Sequence, residues 1–548
     1  MFHGTDPTAP RLLAKADGER CVSKWWKEGA IYQIYPRSFQ DTDGDGVGDL
    51  SGIRQRLDHL KELGVGALWL SPIFRSPMAD FGYDIADYTD IDPLFGDMAD
   101  FDALLREAHE RGLKLLLDFV PNHSSAEHRW FQESRSSRDN PKRDWYIWKD
   151  AAPDGGPPNN WMSNFGGSAW EWDEATGQYY YHAFLKEQPD LNWRNPEVRA
   201  AMHDVLRFWL DKGVDGFRID VIWHLAKDNA FRDNPPNPKW KPGQPDSERY
   251  LQKYSADQPF IHEIVAELRD LVNGYDERLL IGEIYLPVER LMAYYGRNEE
   301  GLHLPFNFQL LQVPWRADVI RELIDEYEAA LPAGGWPNWV LSNHDKPRIA
   351  ARVGEAQARI AATLLLTLRG TPTIYYGDEI GIGEVHIPDD RVQDPWAKLE
   401  PDASFNRDAA RTPMQWTGGS HAGFSNEEPW LPLTEDHASR NVTEQQERPG
   451  SMLSLHRALL SLRNRHADLR TGAYRSLESG DGVLAYRRGE NIAVVLNLTS
   501  EAVELTLPEE FREAEVLLRA SDGQKGGAVP ERLAGDEGLV LRKGENAR

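Results

Sequence analysis

A single cysteine, Cys21, occurs among the 548 residues of the chain. One thiol cannot form an internal disulfide, and it cannot supply the several cysteine ligands of a structural zinc site. No apolar run reaches the roughly 18 residues that suggest a membrane span. The opening stretch "MFHGTDPTAPRLLAKADGERC" also lacks the apolar core of a signal peptide. We therefore expect a cytoplasmic protein in which residues 1–24 form a flexible N-terminal segment.

Cationic residues are outnumbered in this chain. Lysine and arginine together number 62, against 88 aspartates and glutamates, which leaves a formal net charge of −26 and a pI near 5.1. A surface this acidic repels phosphate groups and anionic lipid head groups, so we expect neither a nucleic-acid partner nor a membrane partner. The same charge disfavours anionic substrates and leaves small neutral ones open.

Aromatic residues are plentiful by contrast. The chain has 19 tryptophans, and several aromatic rings lie in a polar stretch, "NNWMSNFGGSAWEWDEATGQYYYHAF" (159–184). We expect most of these rings in the core, because large rings usually pack inside. Rings set among polar groups also suit a site that stacks on the faces of sugars.

Short apolar runs alternate with helix-period stretches along most of the chain. Eight runs are predicted as strands: residues 30–39, 67–74, 113–123, 216–220, 279–284, 304–308, 339–345 and 372–381. Strands that alternate with helices favour a parallel sheet covered by helices, most simply a (β/α)8 TIM barrel in the α/β class. An open doubly wound sheet is the alternative, but no glycine-rich dinucleotide fingerprint follows the first strand.

Two insertions and a change of pattern divide the chain. Residues 124–187 follow the third strand and contain a hairpin signal, "WEWDEATGQYYYHAF", which predicts an inserted domain. A proline-rich stretch of about residues 225–262 follows the fourth strand. Alternating strands after residue 474 predict a C-terminal β-sandwich over 475–548. The barrel would then comprise residues 25–123 and 188–474.

Charged residues cluster where the predicted strands end: Asp118, His123, Arg218, Asp220, Glu283, His344 and Asp345. In a barrel these ends surround one pocket. One carboxylate at such a place is more often a helix cap or half of an ion pair. Carboxylates on three strands are harder to explain structurally, because burying them together without a function is costly. Paired carboxylates above a pocket suit glycoside hydrolysis. Motifs of metalloproteases and phosphate-binding loops are absent from the sequence.

Four segments, "DFVPNH", "GFRID", "IGEI" and "LSNHD", occur in that order at the ends of predicted strands. They resemble the four conserved regions of the α-amylase superfamily, glycoside hydrolase family 13. "QPDLNW" (188–193), "RDAARTPMQW" (407–416), "AGFS" and "GTPTIYYGDEIG" resemble its oligo-1,6-glucosidase and α-glucosidase branch. The resemblance runs from about Trp25 to the C-terminus, and the motifs taken together are highly specific.

The resemblance implies a catalytic role for each matching residue. Asp220 of "GFRID" would be the nucleophile, with Arg218 orienting it. Glu283 of "GEI" would be the general acid/base, and Asp345 of "NHD" the stabiliser of the transition state. A retaining mechanism places the two reacting carboxyl groups about 5–5.5 Å apart.

The resemblance also implies which residues bind substrate. Asp80 of "DFGYD" and Arg407, the first arginine of "RDAARTPMQW", would grip the non-reducing glucose and make the enzyme exo-acting. Arg411 is the alternative arginine. Further contacts with the glucosyl unit would come from Tyr83, His123, Phe165, Gln188 and His344.

The type of linkage is open at this point. Val221 follows the nucleophile, and valine there resembles the enzymes that prefer α-1,6 linkages. The next residues, "VIWHLAKDNAF", depart from the "VINF" pattern of oligo-1,6-glucosidases. A transglycosylase or isomerase of the trehalose synthase or sucrose isomerase type is the main alternative. A catalytically silent homologue and an endo-amylase are disfavoured, the former by all three carboxylates and the latter by the pair of Asp80 and Arg407.

The loop "DTDGDGVGDL" resembles half of an EF-hand. Its ligands would be Asp41, Asp43, Asp45, the carbonyl of Val47, and Asp49. The bidentate glutamate is missing, because Gly52 occupies its position. Four neighbouring aspartates would repel one another without a cation, so we expect a structural Ca²⁺, although Mg²⁺ is also compatible. The resemblance agrees, since α-glucosidases of this branch often hold Ca²⁺ in the loop after the first strand. An acidic surface turn that caps the next helix is the alternative.

Overall fold

Eight short runs of apolar residues form one parallel sheet in the computed structural model, which describes residues 24–383, 385–400 and 406–544. Each run is short and almost wholly buried, as expected for strands covered on both faces. The barrel strands in chain order are Ile31–Ile34, Ala67–Leu70, Lys114–Phe119, Gly216–Ile219, Leu279–Gly282, Leu304–Pro305, Asn338–Val340 and Thr371–Tyr375.

The sheet curls into a nearly closed barrel. The first strand pairs in parallel with the second and with the last, where Ile31 lies opposite Thr373. The sixth and seventh strands are the two ends of the sheet, and a single parallel bridge between Asn307 and Trp339 joins them. The predicted fold class, a TIM barrel with a C-terminal all-β domain, is confirmed.

Helices follow the strands and end where the sequence signals predict. The long helix before the fourth strand begins at Pro196 behind an Asn195 cap and ends at Gly213 in the left-handed conformation. The helices are Trp25–Glu28, Leu50–Gln55, Leu57–Leu63, Met98–Glu110, Arg129–Ser136, Pro196–Lys212, Ile261–Asn273, Val288–Met292, Ala317–Ala330, Ile349–Thr367, Pro395–Leu399, Val442–Gln446, Met452–Arg465 and Ala467–Arg470. None of the helices in the described residues is both long and apolar enough to cross a membrane.

Two features depart from the periodicity of the sequence. The apolar residues of 50–64 recur at helical spacing, yet the stretch forms two helices, because Arg56 leaves the helical conformation between them. A short antiparallel pair, Phe74–Arg75 with Asp87–Ile91, follows the second barrel strand. Its strands are too short and too polar to be recognised from alternation alone.

The segment after the third strand contains its own small sheet. Strands Trp148–Lys149, Trp170–Asp173 and Gln178–Tyr181 are antiparallel, and the last two form the predicted hairpin. Trp161, Trp170 and Tyr181 pack in a separate apolar cluster beneath it. Most of the aromatic rings of this polar stretch are therefore core rings.

The C-terminal part is an antiparallel sheet joined to the barrel. Its strands are Tyr474–Ser476, Val483–Arg488, Ile492–Asn497, Glu515–Arg519 and Gly538–Arg542, with a separate pair Val503–Glu504 and Arg532–Leu533. Buried Arg488 donates to the carbonyl oxygen of Thr367, at the end of a barrel helix. The predicted domain boundaries stay predictions, and residues 1–23, with Cys21, lie outside the described part of the chain.

Candidate active site

A cavity of about 910 Å³ opens at the carboxyl ends of the barrel strands. Ten of the predicted catalytic and sugar-binding residues line it: Asp80, Tyr83, His123, Phe165, Gln188, Asp220, Glu283, His344, Asp345 and Arg407. Arg218 lies behind this lining and is only 1% exposed. The sequence therefore predicted a set of side chains that the fold brings to one place, although their roles stay predictions.

The guanidinium of Arg218 lies at the centre of the cavity floor. Its Nη1 donates to Asp118 at 2.8 Å and to Asp220 at 2.7 Å. Its Nη2 lies 2.7 Å from Oε2 of Glu283. The same Oε2 accepts the backbone N–H of Val221 at 2.8 Å. One buried cation thus holds three carboxyl groups that come from three neighbouring strands.

The charges around Arg218 favour retention of a proton by the neighbouring carboxyl groups. Burial raises the pKa of Glu283, with Arg218 opposing and Asp345 reinforcing the shift. Burial also raises the pKa of Asp220, again opposed by Arg218 and reinforced by Glu283. Burial raises the pKa of Asp118 as well, but the hydrogen bonds that it accepts from Arg218, Tyr83 and Trp69 oppose this shift and favour its ionised form. One cation cannot balance three anions in a buried site, so the Asp220–Glu283 pair holds a proton.

Asp345 lies in the opposite electrostatic environment. Burial disfavours its ionised form, but the guanidinium groups of Arg411 and Arg407 more than offset this and lower its pKa, and Nε2 of neutral His344 lies 3.2 Å from its carboxylate. Arg411 donates to Asp345 at 3.0 Å, and Nη1 of Arg407 lies 3.5 Å away. Asp345 is therefore a permanently ionised carboxylate on the cavity wall.

Hydrogen bonds fix the tautomer of His344. Gln33 donates to its Nδ1 at 2.9 Å, which leaves the proton on Nε2. Nε2 lies 2.8 Å from the hydroxyl of Tyr83, which itself donates to Asp118. Burial lowers the pKa of His344 to about 3, so the ring is neutral. The ring of Tyr83 stacks on His344, so one face of the tyrosine is already covered.

A buried ion pair lies in the wall of the cavity. Arg407 Nη2 donates to Asp80 at 2.9 Å and to Asp394 at 2.7 Å. Gln188 also donates to Asp80, at 3.4 Å. The guanidinium of Arg407 lies over the ring of Phe165. Arg411, the alternative arginine of the sequence analysis, contacts Asp345 instead, so Arg407 is the partner of Asp80.

His123 is held by a second buried network. Its Nδ1 accepts from Asn122, and Asn122 accepts from the ammonium group of Lys227 at 2.7 Å. Lys227 also lies 2.5 Å from Asp190 of "QPDLNW". Lys227 is 4% exposed and Asp190 is fully buried. This ion pair ties the loop after the fourth strand to the end of the inserted segment.

Backbone conformation is unusual beside Asp220, the predicted nucleophile. Val221 has φ 34° and ψ 45°, the left-handed region, which a β-branched residue adopts only under constraint. This conformation directs the N–H of Val221 at Glu283. The opposite side of the cavity is lined by residues on three loops: Trp223, His224, Tyr285, Lys346 and members of 237–257.

Some residues of the site were not recognised from the sequence. Asp394 pairs with Arg407, and Gln33 with His344. The only local signal for Asp394 is its place before Pro395, which predicts a helix cap and no more. Lys227 follows the nucleophile by seven positions and carries no pattern of its own. Each of these three residues contacts a partner that is distant in the sequence, and one sequence by itself does not show such contacts.

The predicted metal loop is partly assembled. Carboxylate oxygens of Asp41, Asp43 and Asp49 lie within 4.8 Å of one another. Asp45 is not part of this group, and its carboxylate accepts the N–H of Val47 in a local turn. Asp49 also caps the following helix through the N–H of Gly52, as the alternative reading expects. Three close carboxylates fit a hard divalent cation such as Ca²⁺.

Comparison with known proteins identifies relatives over nearly the whole chain. The sequence model of the family described as "Alpha amylase, catalytic domain" matches residues 33–472. A probable alpha-glucosidase of Rhizobium meliloti (strain 1021) is 41% identical in an alignment of 507 positions that covers 88% of this chain and 91% of that protein. An oligo-1,6-glucosidase of Halalkalibacterium halodurans is 40% identical in an alignment of 551 positions that covers 92% of this chain and 96% of that protein.

Solved structures agree with these relatives. The alpha-glucosyl transfer enzyme XgtA superposes with a TM-score of 0.90 at 41% identity, over 95% of this chain and all of the other. The trehalulose synthase MutB of Pseudomonas mesoacidophila MX-45 superposes with a TM-score of 0.87 at 36% identity, over 95% and 99%. This chain belongs to the α-amylase family. The prediction of a glycoside hydrolase of that family is confirmed.

The buried ion pair of Lys227 generates a stability prediction. Lys227→Met keeps the apolar stem but leaves Asp190 buried without its cation, which in general costs about 3–5 kcal/mol. We expect the unfolding temperature to fall by about 5 °C or more. Differential scanning calorimetry measures it, with Lys149→Met as the control, because Lys149 lies over the ring of Phe231 and is less buried. Equal melting temperatures for both variants would contradict the assignment.

Proposed function

We propose that this protein is an exo-acting, retaining α-glucosidase that removes the terminal non-reducing glucosyl unit from short oligosaccharides and disaccharides. One observation carries the proposal. The ion pair of Asp80 and Arg407 lies in the wall of the cavity that also contains Asp220, Glu283 and Asp345, and in this proposal it closes one end. A cavity with one closed end accepts the end of a sugar chain but not its middle.

The first half of the reaction forms a covalent intermediate. A carboxylate oxygen of Asp220 attacks the anomeric carbon, while protonated Glu283 gives its proton to the glycosidic oxygen. The bond from the anomeric carbon to that oxygen breaks, and the leaving sugar departs as an alcohol. The products of this step are a glucosyl ester on Asp220 and the carboxylate form of Glu283.

The second half restores the enzyme. Glu283 removes a proton from water, and the water oxygen attacks the anomeric carbon and displaces Asp220. Two inversions leave the α configuration in the product. An alcohol group of a second sugar in place of water gives transfer, so some transglycosylation accompanies hydrolysis.

The other charged groups have supporting roles. Arg218 holds Asp220 at 2.7 Å and keeps its attacking carboxylate in position. Burial and the nearby anion of Asp345 raise the pKa of Glu283, which suits a proton donor. Asp345 stays ionised and faces the positive charge that develops on the sugar ring in the transition state.

The names of the relatives support this activity at the level of the glucosidase class. One relative is called a probable alpha-glucosidase and another an oligo-1,6-glucosidase. Val221 beside the nucleophile favours a preference for α-1,6 linkages, because valine lacks the hydroxyl group that threonine would offer to an acceptor sugar. The stretch "VIWHLAKDNAF" differs from the pattern of the oligo-1,6-glucosidases, so linkage preference is the weaker part of the proposal.

A second candidate function is transfer or isomerisation by the same nucleophile. The structural likeness to an alpha-glucosyl transfer enzyme and to a trehalulose synthase favours it. Both reactions use the same first half and differ only in the acceptor that resolves the intermediate. The charged loop that sucrose isomerases carry after the sixth strand is not evident in "LPFNFQLLQVPWRAD", which favours hydrolysis.

Substrate comparison tests the proposed function. We expect fast release of glucose from a chromogenic α-monoglucoside, from maltose and from isomaltose, and little activity on soluble starch, because a closed cavity excludes internal linkages. Product analysis by chromatography measures each rate. High starch activity would contradict the exo-acting proposal, and isomerised or transferred disaccharide as the main product from sucrose or maltose would support the second candidate.

A structural Ca²⁺ in the first loop is a further proposal. Asp41, Asp43 and Asp49 would hold the ion, and their mutual repulsion in its absence supports it. The loop is anchored to the segment near residue 425, since Ser425 donates to Asp41 at 2.6 Å. The ion would neutralise the loop and so secure that contact. A cytoplasmic location stays a prediction from the sequence.

Removal of divalent cations tests the metal proposal. After treatment with a chelator we expect a lower unfolding temperature, with turnover at low temperature nearly unchanged, because the loop does not line the catalytic cavity. Calorimetry before and after readdition of Ca²⁺ or Mg²⁺ also distinguishes the two ions. An unchanged unfolding temperature would favour the turn without an ion. Asp43→Asn should reproduce the effect of the chelator.

A further inference from the structure

The loop that carries Asp80 has an unfavourable backbone. Met78 and Phe81 have φ values of 65° and 51°, and Gly82 has 105°. Left-handed backbone is natural for glycine but strained for residues with a long or aromatic side chain. Two strained residues flank Asp80, so contacts outside the loop have to hold its conformation.

The carboxylate of Asp84 supplies such contacts. Its Oδ1 accepts the backbone N–H of Asp80 at 3.0 Å and the hydroxyl of Ser76 at 2.9 Å. Its Oδ2 accepts the backbone N–H of Ala79 at 2.9 Å. Asp84 is fully buried. The side chain of Asp84 therefore accepts hydrogen bonds from the backbone N–H groups of both Ala79 and Asp80.

Ser76 extends this support to the strained residue. Its hydroxyl accepts the N–H of Met78 at 2.9 Å while donating to Asp84. The N–H groups of three successive residues, 78 to 80, are thus bound directly or through one hydroxyl by Asp84. Hydrogen bonds to a charged acceptor are stronger than neutral ones, which makes a carboxylate the suitable acceptor here.

Asp80 needs this support because of what lies on its other side. Arg407 donates to its carboxylate at 2.9 Å and Gln188 at 3.4 Å. Asp80 is 4% exposed, so its carboxylate has little room for an alternative position. The direction of its side chain is set by the backbone that Asp84 holds.

We propose that Asp84 is a positioning residue that fixes the loop 76–82, and through it the placement of Asp80 against Arg407 at the closed end of the cavity. Asp84 is fully buried and is not among the residues that line the cavity. The inference rests on the proposed function in assigning Asp80 to the terminal glucosyl unit. It predicts that the effect of Asp84 on catalysis passes entirely through Asp80.

A double-mutant cycle with Asp84→Asn and Asp80→Ala tests this inference. Asparagine keeps the shape of the side chain, but its NH2 group is a donor. It would face the backbone N–H of Ala79 or of Asp80, and that hydrogen bond would be lost. We expect KM for the chromogenic monoglucoside to rise about tenfold or more in Asp84→Asn, with a smaller change in kcat. In the Asp80→Ala background the same substitution should change KM by less than about twofold.

Asp87→Asn is the matched control. Asp87 lies in the neighbouring strand Asp87–Ile91 and accepts the backbone N–H and the hydroxyl of Thr89, outside the loop 76–82. We expect its KM to stay within about twofold of the wild-type value. If Asp84→Asn does not fold, Ser76→Ala replaces it, with a smaller rise in KM that also disappears in the Asp80→Ala background.

The outcomes separate this inference from the proposed function. A rise in KM for Asp80→Ala together with a wild-type KM for Asp84→Asn would overturn the inference alone. Equal effects of Asp84→Asn in both backgrounds would show a general structural role and would also overturn it. An unchanged KM in Asp80→Ala would contradict the role of Asp80 in the proposed function. It would overturn the inference as well, because the inference rests on that role.

Discussion

A single buried guanidinium, that of Arg218, is the group on which the candidate active site depends. It lies within 2.8 Å of oxygens from Asp118, Asp220 and Glu283, and it is only 1% exposed. Without it the three carboxyl groups would repel one another in a medium that screens charge poorly. With it, one positive charge faces three carboxyl groups, which is two cations short of balancing three carboxylates, and a proton stays on the pair of Asp220 and Glu283.

The barrel delivers these groups through strand register. Arg218 lies directly opposite Asp118 on the third strand and opposite Ile281 on the fifth. Side chains two positions apart on a strand point to the same face. Glu283 therefore points to the same face as Ile281, the residue opposite Arg218. Parallel pairing therefore gathers residues that are far apart in the sequence, such as Asp118 and Glu283, and the same geometry places His344 and Asp345 at the rim after the seventh strand.

Much of this arrangement could be predicted from the sequence. Eight apolar runs of strand length predicted the barrel, which the structure has. The polar residues at the ends of these runs predicted which carboxylates would be the candidate catalytic ones. The motifs then led to Asp80 and Arg407. The partners that hold these residues were not predictable: Asp394, Gln33 and Lys227 act through long-range contacts that leave no periodic signal. Asp45 is not among the three aspartates whose carboxylates lie together, and its role as a ligand stays a prediction.

The central claim, that three carboxyl groups share the charge of Arg218, is tested most directly by the pH profile of kcat/KM for Asp118→Asn. Ionised Asp118 raises the pKa of both Asp220 and Glu283. Activity requires ionised Asp220 on the acid limb and protonated Glu283 on the basic limb. Removal of the charge of Asp118 lowers both pKa values, so both limbs should move to lower pH. Limbs that stay at their wild-type positions would contradict the account.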